Sequence, residues 1–365
     1  MVASDFDTQT QQIAPLLYDL FEVGAVYRQG HDYVFSLTSR YEHARSVKLL
    51  KDRLKLAGYS FTLDDRTDTV LLTIDPHPRL GVPALNIVLF VLTLFTIYIV
   101  PVFYRNLDVP DLATAWRNTL DDLARGAGLE FTLALISILF VHEMGHFIAS
   151  RRRHIITSWP YFIPAPNIIG TFGAIIKSKS PFWNRRDLIE VGAAGPVAGW
   201  IVAVFWLVYG LTQSTIVAPQ AFGPGEMAFS MDGESILMKF LTLNIIGPAP
   251  AEYFYRLTEA AFAGWVGLLV TAINLLPIGQ LDGGHILYGL TRRRQHILGM
   301  IAMGGLVILG FQSSVWWVFA VFGLIFGVKH PPTLDDTRHP SRASLTMAVA
   351  AIIIMFLSFT PVPFR

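Results

Sequence analysis

Residues 141–146 read Val-His-Glu-Met-Gly-His and place a His-Glu-x-x-His pentad directly after the apolar run FTLALISILFV at 131–141. A charged side chain at the centre of a membrane helix costs roughly 2.5–3.5 kcal/mol on insertion scales, so a functional role is the default interpretation. On a helix His142 and His146 project from one face, with the spacing that binds one Zn²⁺. Glu143 lies beside them, where its carboxylate can hold a water molecule. The pentad therefore predicts a metalloprotease-type site inside a membrane helix.

The composition is that of a membrane protein. The 365 residues are 53% hydrophobic and 15% charged, with a mean hydropathy of +0.48, outside the usual balance of soluble globular proteins. There is no cysteine, so His, Asp or Glu must hold any metal. A net charge of +1 argues against a nucleic-acid partner. The N-terminal MVASDFDTQT lacks a basic region followed by an apolar core, so no cleavable signal peptide is expected.

Residues 1–80 are more polar than the rest and predict a small soluble α+β domain. Apolar residues recur at helical spacing over 13–21, and DYVFSLT at 32–38 predicts a strand. A second helix is expected over 44–57. The alternating and apolar stretches between 59 and 74 then predict a β-hairpin. His31 and His43 have no acidic or histidine partner at ligand spacing, and both are interpreted as surface residues.

Residues 81–365 predict a transmembrane domain, so the fold class is a polytopic α-helical membrane protein of about six to seven transmembrane helices with the α+β domain at its N-terminus. Each candidate span is near the ~20 residues that a bilayer requires. The candidate spans are 84–104, 129–150, 189–211, 259–277, 296–312, 314–329 and 343–361. Residues 296–329 predict a tight helical hairpin, with one re-entrant segment as the alternative.

The loop at 151–188 contains the stretch GTFGAII at 170–176, which is too short and too rich in glycine for a helix. It predicts an extended segment at membrane depth, which could pair with an unfolded substrate by β-addition. The alternative is a loop that only caps the helix bundle. The small residues of GAAGPVAG at 192–199 indicate close helix packing in the third span.

The fourth span ends in NLLPIGQLDGGH at 274–285. Asp282 is a lone carboxylate beside apolar residues, and a catalytic zinc needs a third protein ligand besides the two histidines. The alternative for Asp282 is a solvated loop residue. Asn274 can donate a hydrogen bond to a developing oxyanion or serve only in packing at the helix end. His285 is a candidate spare ligand or supporting group, whereas the remaining histidines, His154, His296 and His330, are interpreted as interfacial or loop residues.

These motifs resemble those of the site-2 protease family of intramembrane zinc metalloproteases. The resemblance rests on HEMGH at 142–146 and NLLPIGQLDGG at 274–284, with GTFGAII and GAAGPVAG in the family's order between them. It covers a catalytic core of about residues 129–290. The loop at 151–188 lacks the PDZ insert common in the family. Together with HPPTLDD at 330–336 and the N-terminal domain, this resembles the PDZ-less prokaryotic and plastid branch.

The resemblance implies one Zn²⁺ per chain, held by His142, His146 and Asp282, with Glu143 as the catalytic carboxylate and Asn274 as a transition-state contact. It implies cleavage of a peptide bond in a transmembrane segment of a single-pass membrane protein substrate, within the lipid bilayer, as in regulated intramembrane proteolysis. Where family members often carry Asn in the third span, this chain has glycine at position 199. No polar role is carried over to that position.

Two other classes of function remain as alternatives. In an ion or metal transporter, His142, His146 and Asp282 would bind an ion in transit. Against this, the ionisable residues cluster at one depth, and Glu143 would have no role. The other alternative is an inactive homologue acting as a scaffold, but every residue that the chemistry needs is present in this sequence.

Loop charge predicts the orientation in the membrane. The loop at 151–188 carries seven basic residues against one acidic residue, and 292–294 reads Arg-Arg-Arg, so both are expected in the cytoplasm. The loop at 212–258 carries four acidic and two basic residues, as suits the opposite side. The sequence therefore predicts an integral, multi-pass protein, of the cell membrane if prokaryotic. Its active site and residues 1–80 are predicted on the cytoplasmic side.

Overall fold

The computed structural model describes residues 10–75, 81–153, 155, 157–178, 182–221, 229–333 and 335–363.

The N-terminal part of the chain is a small α+β region. The elements of the α+β region are α1 (Thr10–Leu17), β1 (Phe21–Gln29), β2 (Asp32–Ser39), α2 (His43–Leu56), β3 (Phe61–Asp64) and β4 (Thr69–Ile74). The strands form one antiparallel sheet in the order β1-β2-β4-β3. The apolar faces of the helices and sheet bury a common core that includes Leu16, Phe35, Leu50, Leu54 and Leu72.

The predicted strand at 32–38, the second helix and the hairpin are confirmed by β2, α2 and the β3–β4 pair. The prediction of a helix as far as Phe21 is wrong, because α1 ends at Leu17 and Phe21 begins β1. No strand was predicted there. A register shift between Val23 and Val26 interrupts the alternation of β1, so a period of two is not visible in its sequence.

The remainder of the chain is mostly helical. Its helices are α3 (Ala84–Arg105), α4 (Leu112–Ala124), α5 (Leu129–Arg152), α6 (Arg185–Leu211), α7 (Ile236–Ile245), α8 (Glu259–Asn274), α9 (Asp282–Thr291), α10 (Gln295–Gly310), α11 (Val315–Phe326) and α12 (Arg342–Ser358). Two short antiparallel pairs lie between them, β5 (Tyr161–Pro164) with β6 (Thr171–Ile175) and β7 (Thr215–Val217) with β8 (Phe254–Arg256).

Three helices among the described residues, α3, α5 and α6, are long and apolar enough to cross a membrane. Four shorter helices, α7, α8, α11 and α12, are also apolar. Every predicted span coincides with a helix, while the predicted count of six to seven membrane crossings stays a prediction. The segment 296–329 forms two helices, α10 and α11, as the hairpin prediction required. Three helices of this part, α4, α7 and α9, are not among the predictions.

The core of the membrane part is built around α6, which packs against α5, α8, α9 and α12. Small residues allow the backbones to approach closely. A Cβ atom on Gly145 of α5 would lie 2.7 Å from the carbonyl oxygen of Ala194, and one on Gly264 of α8 would lie 2.5 Å from the backbone nitrogen of Leu207. The predicted close packing of the third span is therefore confirmed.

The first turn of α5 is held by a carboxylate from another helix. Glu259, the first residue of α8, accepts hydrogen bonds from the backbone N–H of Gly128 at 2.9 and 3.0 Å. The guanidinium of Arg105 at the end of α3 lies 3.1 Å from the same carboxylate. A negative charge at a helix N-terminus interacts favourably with the helix dipole and satisfies a backbone donor that has no partner within the helix. Glu259 thus joins the ends of α3, α5 and α8.

Candidate metal centre

Three of the predicted site residues converge at one point. His142 and His146 lie one turn apart on α5, and Asp282 is the first residue of α9. The Nε2 atom of His142 lies 3.4 Å from Asp282 Oδ2, and that of His146 lies 3.2 Å from Asp282 Oδ1. The two Nε2 atoms are 3.2 Å apart. Both histidines are buried and the Asp282 side chain is 15% exposed, so Asp282 is not a solvated loop residue.

The donor set and its spacing fit a zinc ion. All three ligand atoms lie within 4.8 Å of one another. Two ligand atoms bound tetrahedrally at ~2.0–2.2 Å from Zn²⁺ would be about 3.3–3.6 Å apart, close to the separations of 3.2 to 3.4 Å found here. Two imidazoles and one carboxylate would leave the fourth position of a tetrahedral zinc available to water or substrate.

A backbone carbonyl orients one of the candidate ligands. The Nδ1 atom of His146 lies 2.8 Å from the carbonyl oxygen of Val191 on α6. A carbonyl oxygen can only accept, so Nδ1 carries the proton, and Nε2 of the neutral ring keeps its lone pair for the metal. The long-range packing of α6 against α5 therefore fixes both the direction and the tautomer of His146.

Glycines on α6 make room for the histidines. A Cβ on Gly195 would lie 2.6 Å from Cε1 of His146 and closer still to Nε2, and one on Gly199 would lie 2.9 Å from the Cβ of His142. One turn towards the start of α6, a Cβ on Gly192 would lie 2.9 Å from the Cβ of His285. We call Gly192, Gly195 and Gly199 the glycine row. Glycine at position 199 thus leaves the space that the His142 side chain occupies.

The two remaining predicted residues lie beside the cluster. Glu143 is buried, with 6% of its surface exposed, and follows His142 on α5. Asn274 is the last residue of α8, and its Nδ2 atom lies 3.4 Å from Nε2 of His142. The structure therefore brings all five predicted site residues into one region, with a carboxylate and an amide donor beside the candidate ligands.

A turn delivers Asp282 to the histidines. A Cβ on Gly283 would meet the carbonyl oxygens of Leu275 and Leu276, and one on Gly284 would lie 2.9 Å from the carbonyl oxygen of Ile278. The loop therefore folds so tightly onto the start of α9 that the two residues after Asp282 must be glycine. The Asp-Gly-Gly sequence is explained by this steric requirement.

His330 lies in the loop between α11 and α12, as the sequence predicts, but the structure adds that it is buried and paired with another histidine. His330 is 3% exposed, and its Nε2 atom lies 2.6 Å from Nδ1 of His285. His285 itself follows Asp282 by one turn of α9. The contact joins residues 45 positions apart, so no spacing in the sequence indicates it. His154 lies outside the described residues.

Comparison with known proteins gives a consistent result. The model of peptidase family M50 matches residues 130–311, which contain the pentad, Asn274 and Asp282. The chain belongs to peptidase family M50. This is the site-2 protease family, so the resemblance found in the sequence is confirmed.

Plant proteins are among the curated relatives of this M50 protein. "Probable zinc metalloprotease EGY2, chloroplastic" of Oryza sativa subsp. indica is 32% identical over 280 residues, or 75% of this chain and 49% of the relative. The Arabidopsis thaliana protein of the same name is 31% identical over 268 residues, covering 72% of this chain and 47% of the relative. "Probable zinc metalloprotease EGY1, chloroplastic" of Arabidopsis thaliana is 31% identical over 242 residues, covering 65% and 43%.

The chain spans about half the length of these curated relatives. No solved structure matches it. Zn²⁺ is the metal implied for an M50 protein with such relatives, and the cluster of His142, His146 and Asp282 is consistent with it. The M50 match includes His285 but ends before His330, so their contact joins the matched region to a residue beyond it.

Proposed function

We propose that this M50 protein is an intramembrane zinc metalloendopeptidase that hydrolyses a peptide bond in a transmembrane segment of a substrate protein. One observation carries the proposal: the ligand atoms of His142, His146 and Asp282 converge within 4.8 Å, beside the buried Glu143, on helices of a membrane protein. A metal site with an adjacent carboxylate is the arrangement used for metal-assisted peptide hydrolysis.

Each residue then has a separate task. His142, His146 and Asp282 would hold Zn²⁺, which when bound polarises a carbonyl group and makes water a better nucleophile near neutral pH. Glu143 accepts a proton from the attacking water and delivers it to the nitrogen of the leaving amine. Asn274, whose Nδ2 lies 3.4 Å from His142 Nε2, donates a hydrogen bond to the oxygen that becomes negatively charged.

The β5–β6 pair is the proposed receiver of the substrate backbone. β6 pairs with β5 along one edge, and among the described strands no other pairs with its second edge. Phe172 and Ile175 on β6 are 67% and 45% exposed, and β6 packs near α5. An unwound segment of a transmembrane substrate could add to this free edge as a third strand, which would satisfy its backbone groups inside the membrane.

The test uses purified protein in detergent and in proteoliposomes, with fluorescent single-pass transmembrane peptides as substrates and metal content measured by mass spectrometry. Glu143→Gln should keep the zinc content of the wild type while lowering cleavage by about 10²-fold or more, since the amide keeps the volume but accepts no proton. Cleavage by this variant at the wild-type rate would refute the proposal. Rapid zinc flux through the vesicles without any cleavage would favour the transporter alternative.

We also propose that residues 1–80 form a domain separate from the membrane domain at 81–365 and lie on the cytoplasmic side with the active site. The support for a separate domain is that the α+β region has its own buried core. The support for a common side is an edge-to-face contact between Tyr18 of the α+β region and Trp183 of the basic loop, with ring centroids 5.6 Å apart. The cytoplasmic side follows from the charge of that loop.

Cysteine labelling tests this orientation, because the natural chain has no cysteine. Ser178 and Ala251 are exposed and lie in the two loops predicted on opposite sides of the membrane. In intact cells an impermeant thiol reagent should label Ala251→Cys and leave Ser178→Cys unlabelled until the cells are lysed. Labelling of Ser178→Cys alone would reverse the proposed orientation.

A further inference from the structure

The segment between α11 and α12 is fastened to the loop that carries Asp282. We call residues 327–333 and 335–336 the strap. The backbone carbonyl of Val328 in the strap accepts hydrogen bonds from the backbone N–H of Gly279 at 3.0 Å and from Nε2 of Gln295 at 2.9 Å. At its other end the backbone N–H of Asp335 donates to the carbonyl of Trp183 at 2.8 Å. The strap therefore crosses from the Asp282 loop to the basic loop.

One histidine of the strap points into the protein. The backbone N–H of His330 donates to Oε1 of Gln295 at 3.1 Å, and its ring lies 4.8 Å from that of Tyr288 at an angle of 33°. The hydroxyl of Tyr288 donates in turn to Asp336 at 2.7 Å. His330 is thus held by its backbone, by its ring face and by the two contacts of its ring nitrogens.

The ring contacts determine where the protons lie. His330 Nδ1 is 2.5 Å from the carbonyl oxygen of Pro331, which can only accept, so Nδ1 carries the proton. Burial lowers the pKa of His330 to about 4, so its ring is neutral and Nε2 is an acceptor. His285 Nδ1, 2.6 Å away, must then be the donor. The Nε2 atom of a neutral His285 consequently has a free lone pair.

His285 is placed next to the candidate metal centre. It lies one helical turn after Asp282, so both residues occupy the same face of α9. The glycine row gives a second, independent placement, because Gly192, Gly195 and Gly199 face His285, His146 and His142 in that order. The three histidines therefore follow one another along α6. The His285 side chain is only partly buried, and its ring lies 5.5 Å from that of Phe182.

We infer that His330 is a positioning residue, which holds His285 in the Nδ1–H tautomer so that its unprotonated Nε2 accepts a hydrogen bond from a backbone N–H of the substrate beside the metal centre. An extended peptide presents such donors at regular intervals. The role of the substrate in this inference rests on the proposed proteolytic function, whereas the tautomer of His285 does not.

The tautomer can be measured without metal or substrate. Protein labelled with ¹⁵N-histidine and stripped of metal should show the His285 ring protonated at Nδ1 only, with the signal assigned by its loss in His285→Asn. His330→Gln places an acceptor near the former Nε2 position and should preserve this tautomer. His330→Asn places its amide only near the former Nδ1 position, facing Pro331, and so removes the acceptor that faces His285. The proton of His285 should then shift towards Nε2. A His285 ring protonated at Nε2 in the wild type would overturn the inference.

Kinetics separate positioning from simple packing. His330→Asn should lower kcat/KM by roughly 3- to 10-fold, the effect of one hydrogen bond, mainly through KM, while His330→Gln should stay near the wild type. In the background of His285→Asn the change at His330 should have no further effect, because both act through one group. Equal losses in Asn and Gln variants, or additive losses in the double variant, would assign His330 to anchoring the strap and refute the inference.

These outcomes are distinct from failure of the proposed function. If the protein cleaves no substrate but His285 has the expected tautomer in wild type and His330→Gln and loses it in His330→Asn, the positioning of His285 by His330 stands and the role of the substrate is rejected. If cleavage depends on Glu143 but the tautomer is insensitive to His330→Asn, the proteolytic function stands and the positioning role is rejected.

Discussion

Glycines serve opposite purposes in α6 and α10. In α6, a Cβ on Gly195 or Gly199 would collide with the imidazoles of His146 or His142. In α10, the adjacent Gly304 and Gly305 have no atom within 4 Å of the place where a Cβ would stand. Both pairs occur in apolar helices and are indistinguishable by composition. Only the packed structure shows that Gly195 and Gly199 make room for the candidate metal ligands, whereas Gly304 and Gly305 border open space.

The open space beside α10 is a groove of about 610 Å³ with an apolar lining from α9, α10, α12 and the loop at 275–277 that follows α8. Gly305 lies in its wall, as do Leu275 and Leu276, which follow Asn274. None of the residues that line the groove belongs to α5 or α6, so the groove is distinct from the close-packed α5–α6 interface. Substitutions in the two regions should differ sharply in effect, which makes the comparison testable.

The largest effect should come from removing a ligand within the close-packed region. Asp282→Ala leaves two protein ligands, so zinc content should fall by an order of magnitude or more at limiting zinc, and cleavage should fall with it. Thermal unfolding of the metal-free protein should change little by comparison. Asp282→Ala protein with full zinc content and full activity would show that another residue, such as His285, is the third ligand.

Gly195→Ala should be nearly as damaging although it removes no polar group. The added methyl occupies the position of the His146 ring, so α5 and α6 must separate or the imidazole must turn away. We expect about 1–3 kcal/mol of lost stability and at least ~10-fold weaker zinc binding. Unfolding temperature and zinc competition with a chelator measure the two quantities. Wild-type zinc affinity in Gly195→Ala would mean that the glycine row does not seat the ligands.

A smaller effect is expected from substituting Glu234, which lies just before α7. The feature that matters at this position is the burial of a carboxyl group and not a lack of space. Its carboxylate accepts a hydrogen bond from the indole N–H of Trp265 at 2.8 Å, and burial raises the pKa of Glu234 from 4.5 to about 7. The folded protein therefore binds this proton more tightly than the unfolded chain, so stability falls as pH rises from about 4.5 to about 7.

Glu234→Gln keeps the acceptor for Trp265 and removes the titration. Unfolding temperatures at pH 5 and pH 7.5 should therefore differ less in this variant than in the wild type. The contribution is on the order of 3 kcal/mol at most, since one pKa unit corresponds to 1.36 kcal/mol. An unchanged pH dependence in the variant would assign it to other groups.

The smallest effect is expected from Gly305→Ala, the matched control for Gly195→Ala. Alanine fits the open groove and is a better helix former than glycine by about 0.8–1.0 kcal/mol. The unfolding temperature should stay the same or rise slightly, with zinc content and cleavage unchanged. A loss of cleavage with normal zinc content would instead mean that the groove is occupied during catalysis, and the contrast between the two helices would no longer hold.

Local patterns predicted most of this structure. The pentad gives the spacing of His142 and His146 directly, because that spacing depends only on the geometry of one helix. The apolar runs likewise predict the positions of seven helices. Helix α4 has a recognisable sequence signal of its own: Asp111 caps it by accepting from the N–H of Thr114 at 2.9 Å, and an amphipathic pattern follows.

The unpredicted features depend on contacts between distant residues. The position of Asp282 relative to the histidines follows from a loop held by Val328, nearly fifty residues later in the chain. The contact between His330 and His285 has the same origin. No periodicity encodes such contacts, so sequence motifs suggested Asp282 as a ligand only through chemistry and family resemblance. Strand β1 is unpredicted for a local reason, because its bulge interrupts the alternation of apolar and polar residues by which a strand is recognised.

The carboxylate of Glu259 has a consequence for the rotational setting of α5. The amide of Gly128 that it binds precedes His142 by fourteen residues, or about 21 Å along a helix axis. A slip of α5 by a single residue would turn both histidines by about 100° away from Asp282. Glu259 thus fixes the rotation of α5 about its own axis from the N-terminal end of the helix. The direction in which the two imidazoles point is therefore set by a residue that takes no part in their chemistry.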